Sequence, residues 1–197
     1  MTLAASITAL AQLTLQDPRR AARALLGRNV PLSARTMGLL LVAVVSAMLA
    51  SVQVGLQSEP VPQLIAEMTA SPFRAAVVQW LILALSVMMI HWLGQSFGGT
   101  GTLPDALLVT VWLQVVMLGF QSLQLLAGLV SPALAALVGL TSLGVFLWLL
   151  TSFVAELHGF RSRGLVLVGV LGSGLGLGFV LAFLLILVLG PEAFIDV

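Results

Sequence analysis

Cysteine, lysine and tyrosine are all missing from this 197-residue chain, and charged residues of either sign make up only 8% of it. Without cysteine there can be no disulfide, thiolate metal ligand or cysteine nucleophile. Without lysine, a phosphate loop of the G-x-x-x-x-G-K-[ST] type cannot be completed. The scarcity of charge excludes an ordinary soluble domain, in which about a quarter of residues are charged. A net charge of +1 leaves no footprint for nucleic acid. Alternating ten-residue strands are missing too, which excludes a membrane β-barrel. The N-terminus lacks a basic region followed by an apolar core and a small-residue cleavage site, so the first membrane helix is expected to serve as its own targeting signal.

What remains is apolar: 60% of the residues are hydrophobic. A hydrocarbon core of about 30 Å takes roughly 20 helical residues. Five runs meet that length, approximately Thr36 to Leu56, Ala75 to Leu93, Leu103 to Ala127, Ala133 to Ala155 and Leu165 to Leu189. The breaks between them hold Pro60 and Pro62, Gly98 and Gly99, Gly128 and Pro132, Gly159, then Gly190 and Pro191. Backbone groups in lipid must be satisfied within a helix, so the runs predict an all-α, polytopic bundle of five transmembrane helices forming one domain. Residues 1–35 form an N-terminal segment, 36–189 the bundle and 190–197 a short tail.

All eight basic residues are arginine, which with the abundant Ala, Leu and Val suggests a GC-rich bacterial genome. Arg19, Arg20, Arg23, Arg28 and Arg35 precede the first run, and Arg161 and Arg163 lie between the fourth and fifth. With five spans these regions share a side; Arg74, Glu59, Glu67, Glu192 and Asp196 fall on the other. The positive-inside rule then places the N-terminus in the cytoplasm and the C-terminus outside the inner membrane.

Ahead of the first span, "QDPRRAARALLGRN" predicts a short amphipathic surface helix, with Asp17 as N-cap, Pro18 at its first position and Gly27 just past its end. Leu3, Ile7 and Leu10 suggest a second short helix upstream. The arginines form a basic membrane-surface face, and Leu25 and Leu26 can enter the membrane boundary. Such a face is a topology signal and anchor; a sharper role is recognition of anionic lipids or of a partner.

The stretch "SFGGTGTLPDALLVTVW" has glycines at 98, 99 and 101 but no strand before it, so it reads as a turn followed by a helix start. Thr102 can cap, Pro104 suits the first turn, and Asp105 favours the helix dipole. In the fifth run, Gly172, Gly174, Gly176 and Gly178 repeat as small-xxx-small and predict close helix packing, with a flexible, gate-like helix as the alternative. Ser173 has no histidine at matching depth, which argues against a Ser/His enzyme.

His91, Asp105, Glu156 and His158 fall at compatible depths at helix ends, where two imidazoles and two carboxylates could hold a divalent metal or relay protons. The plain alternative is that they reach water or pair with Arg161, and no cofactor is expected. Gln114, Gln121 and Gln124 share a helical face, for interhelical hydrogen bonds or for a polar substrate path.

Taken together, "DPRRAARALL", "GGTGTLPDALLVTVWLQ" and "AELHGFRSRGLVLVGVL" resemble the bacterial branch of the Yip family, five-helix membrane proteins named for Ypt/Rab-interacting members. The resemblance implies a cytoplasmic N-terminus and a non-enzymatic role. Eukaryotic relatives bind prenylated small GTPases and partner membrane proteins, and some shape membranes. Their N-terminal "DLYGP" motif is missing here, so GTPase binding does not carry over. The expected function is membrane organisation or a partner-binding scaffold, with the bilayer, other membrane proteins or a second copy as partners. A small transporter or channel subunit using the polar faces is the alternative.

Overall fold

The computed structural model describes residues 3–56 and 71–189. The acidic loop carrying Glu59 and Glu67 and the tail from residue 190 lie outside the described residues. Those residues form seven α-helices: α1 (Leu3–Gln16), α2 (Pro18–Leu26), α3 (Leu32–Gly55), α4 (Pro72–Ser96), α5 (Leu103–Val130), α6 (Pro132–His158) and α7 (Arg163–Leu189). The five long helices have 24 to 28 residues, enough at 1.5 Å each to cross a bilayer. Four of them are long and apolar enough by composition to count as membrane spans, and in α7 the apolar stretch Gly164–Gly176 leads the helix. The chain is thus an all-helical, multi-pass membrane protein.

Two of the spans, α5 and α6, begin at side-chain caps. Thr102 accepts a hydrogen bond from the Asp105 amide at 3.3 Å and donates to Asp105 Oδ2 at 2.6 Å. Ser131 caps α6 by accepting from the Leu134 amide at 3.1 Å. Proline follows the cap at the starts of α2, α4, α5 and α6, where its missing N–H costs nothing. The spans α4 and α6 exceed their apolar runs by first and last turns that carry polar residues, such as Arg74, Gln95, Ser96, Glu156 and His158, while α5 gains Gly128 to Val130 at its end.

Helix α5 is the centre of the bundle, packing on α3, α4 and α6, while α7 leans on α6 alone among its larger contacts. The outer faces of α3 and α6 expose Leu40, Leu41, Met48, Leu137, Leu140 and Leu143, as a lipid-facing surface requires. One buried cluster joins Leu39, Val42 and Ala43 of α3 to Leu83 and Val87 of α4 and Ala106 of α5. A second joins Leu10 of α1 and Ala21, Ala22 and Leu25 of α2 to Leu108, Val109 and Trp112 of α5 and Leu149 and Phe153 of α6.

That second cluster refines the expected surface helix. Helix α2 is amphipathic, and Arg20, Arg23 and Arg28 on or beside it are exposed, but its apolar stripe faces protein rather than lipid. Leu25, expected at the membrane boundary, is buried in the second cluster instead. Leucines spaced for a membrane surface are equally spaced for a helical partner, so periodicity alone does not separate the two.

Candidate functional site

Helices α4 and α6 end side by side at the arginine-bearing end of the bundle, and each ends in the same way. After α4 the Gly98 amide bonds Gln95 O at 2.9 Å and the Gly99 amide bonds Gly94 O at 2.8 Å, with Gly98 at φ +82°. After α6 the Gly159 amide bonds Glu156 O at 3.4 Å and the Phe160 amide bonds Ala155 O at 2.8 Å, with Gly159 at φ +73°. Both are Schellman closures, which need a left-handed residue that glycine supplies without strain.

His158, the last residue of α6, joins the two endings. Its ring is buried against Gly94, Gly99 and Gly101; a Cβ at Gly99 would lie 2.5 Å from Nδ1, and one at Gly101 2.8 Å from Cε1. The Gly101 amide donates to His158 Nδ1 at 3.2 Å, which leaves Nε2 as the protonated nitrogen, donating to Ile90 O at 3.1 Å. The Thr100 amide approaches His158 O at 3.4 Å, and the ring stacks on Phe160 at 5.5 Å between centroids. From the other side His91 Nδ1 donates to Gly101 O at 3.2 Å. Residues 98–101 are therefore held between two histidines, and the glycines serve close approach.

The remaining sequence candidates are placed nearby but bound elsewhere. Asp105 takes Arg35 Nη1 at 2.9 Å, and the same Arg35 donates to Pro104 O at 2.6 Å and to Val30 O at 2.9 Å. Glu156 takes Arg23 Nε at 3.3 Å. Arg19 Nη2 donates to Phe160 O at 3.2 Å and Arg161 O at 3.3 Å, serving carbonyls that follow α6. Arg20 contributes its amide to the Asp17 cap at 3.1 Å. Among the described residues no three of His, Asp and Glu converge as a metal-ligand set. Both nitrogens of His158 are occupied by backbone, so no lone pair remains for a metal.

Deeper in the bundle the glutamines divide between neighbours. Gln114 Nε2 donates to Ser46 Oγ at 3.0 Å, Ser46 Oγ donates to Gln121 Oε1 at 3.0 Å, and Gln121 Nε2 donates to Ser46 O at 3.1 Å. Gln124 lies instead over Gly139 of α6, where a Cβ would come within 2.8 Å of its Nε2. Around Gly172, Gly174, Gly176 and Gly178 a Cβ would meet nothing within 4 Å. Trp112 Nε1 donates to Thr14 Oγ1 at 3.0 Å, and Thr14 donates to Leu10 O at 2.7 Å. This link, the Ser46 node and Gly94 lie outside the candidates that the sequence patterns mark. Only Gly94 leaves a trace in sequence, standing five residues before Gly99 in an otherwise bulky helix end.

A family model, the Yip1 domain, matches residues 13–186. The chain belongs to the Yip1 family. No curated protein and no solved structure matches it significantly. The Yip1 match begins near the end of α1 and runs into α7, so it takes in α2 and the bundle but only the last residues of α1. Helix α2 and the paired helix endings at Gly98 and Gly159 thus fall within one Yip1 domain.

Proposed function

We propose that this Yip1-family protein is a non-enzymatic scaffold of a bacterial inner membrane, organising the membrane or holding partner proteins. Its N-terminus faces the cytoplasm and its C-terminus the opposite side. The observation that carries this reading is the use to which the polar groups at the basic end are put. His91, His158, Asp105 and Glu156 are engaged by backbone or arginine, in bonds that fasten loops and helix ends. What is left to meet a partner is a rigid surface: the exposed Arg20 and Arg28 of the hairpin and the outward apolar faces of the helices.

The decisive experiment is photocrosslinking in native membranes from residues 20 and 28, followed by mass spectrometry. A recurrent membrane-protein partner or a self-adduct is expected. If adducts track protein abundance with no recurring species, the scaffold reading fails.

A further inference from the structure

A lateral cleft of about 930 Å³ opens between α4 and α7, backed by α5 and α6. Its walls are apolar, with Leu83 and Met89 from α4, Phe146 and Leu150 from α6, and Leu165 and Leu171 from α7. On α7 the lining runs from Leu165 to Leu175, about 15 Å of helix, and on α4 from Phe97 back to Leu83, about 21 Å, at 1.5 Å per residue. One leaflet of a hydrocarbon core about 30 Å thick is roughly 15 Å deep. The cleft therefore reaches through one leaflet and stops, which suits an acyl chain and not a spanning helix.

The mouth has the opposite character. Arg161 and Ser162 form its rim, and Arg161 is exposed with no side-chain partner among the described residues. Ser162 Oγ accepts the Leu165 amide at 3.3 Å, so the positive end of the α7 dipole lies at the same rim. Arg19 sits against the same loop and keeps its buried Nε without a hydrogen-bond partner. The nearest acid in sequence, Glu156, is paired with Arg23, and no other acid follows before Glu192.

From this combination we infer that the cleft is a binding site for an anionic phospholipid, with one acyl chain between α4 and α7 and the phosphate at Arg161. The site is separate from the exposed arginines of α2. Its occupancy by lipid does not depend on which partner the bundle has.

The test is native mass spectrometry of the full-length protein purified from mixed anionic and zwitterionic vesicles. Retained lipid should be enriched in the anionic species about fivefold over the bulk, the ratio given by ~1 kcal/mol for one arginine near a phosphate. Arg161→Ala should abolish the enrichment and Arg161→Lys should keep it, while Arg20→Ala leaves it unchanged. Gly169→Trp and, separately, Gly174→Trp place a ring in the cleft from positions with open space around the added atoms, and should expel lipid from a protein with an unaltered helical spectrum. Three results would overturn the site: no enrichment in the natural protein, equal loss in Arg20→Ala and Arg161→Ala, or lipid retained in both tryptophan variants. Arg161-dependent binding of inorganic phosphate without retained lipid, or a cleft left empty after purification, would overturn it as well.

Discussion

At the scale of single residues, the glycines at the basic end divide into those that face atoms and those that face space. A methyl group at Gly99 would run into the His158 ring and lie 2.7 Å from Gly94 O, a backbone atom that cannot swing away. Overpacking of that kind costs about 1–3 kcal/mol. Gly99→Ala should therefore lower the thermal midpoint in detergent, measured by intrinsic tryptophan fluorescence. Gly172→Ala, with nothing within 4 Å, should stay within about 0.5 kcal/mol of the natural protein. Equal shifts for the two would mean that the cradle does not constrain His158. The Thr102 and Asp17 caps were legible in sequence because their partners lie three residues away. In sequence His158 looks like a possible ligand because its partners lie about 60 residues away, and nothing local marks a histidine as enclosed by glycine.

The Ser46 node carries a second prediction at this scale. Ser46 is buried and bonded to both Gln114 and Gln121, so its loss strands two amides between helices. Interhelical bonds in membranes contribute about 0.6–2 kcal/mol each, and a double-mutant cycle isolates the pair. Ser46→Ala and Gln121→Leu, measured by reversible unfolding in mixed micelles, should show a coupling energy within that range. Strict additivity would remove the bond as a determinant of α3–α5 packing. The helical face of the three glutamines was read from spacing, but which neighbour each meets depends on helix order, which spacing does not contain.

At the scale of elements, two of the contacts that fasten the α1–α2 hairpin differ in kind. Arg23 is mostly exposed, with 65% of its side chain accessible, and an ion pair so placed is worth less than about 1 kcal/mol. The Trp112 indole and Thr14 hydroxyl are buried, and leaving such a donor unpaired costs about 1–3 kcal/mol. Thr14→Val should thus release the hairpin more than Glu156→Gln does. Hydrogen exchange of the α2 amides is the measurement, and the effect of Glu156→Gln should shrink with added salt while that of Thr14→Val does not. A larger effect from Glu156→Gln would reverse the assignment. Both short helices were visible in sequence, through Asp17-Pro18 and the Leu3, Ile7, Leu10 spacing. Their docking was not, because a buried Thr14 and Trp112 look like any polar and aromatic residue of a membrane protein until the helices are brought together.

At the scale of the whole molecule, charge and helix count bear on the same question of orientation. Arg19, Arg20, Arg23, Arg28 and Arg35 lie before or at the start of α3, Arg161 between α6 and α7, Arg163 at the start of α7, and Arg74 at the start of α4. The hydrogen bond from Arg19 to Phe160 O and the ion pair of Arg35 with Asp105 bring the first two groups to one end of the bundle. In the orientation proposed above, by the positive-inside rule, that end is the cytoplasmic one. The absence of cysteine makes this directly measurable, since any introduced thiol is the only one present. Asn29→Cys and Thr100→Cys should react with a membrane-impermeant maleimide only after the cells are permeabilised, and Ser71→Cys and Ser131→Cys in intact cells. Each side has two reporters on different loops, so a misfolded variant shows itself by disagreeing with its companion. Labelling of Thr100→Cys and Asn29→Cys from outside would invert the bundle and move the basic end, with the lipid cleft, to the other leaflet.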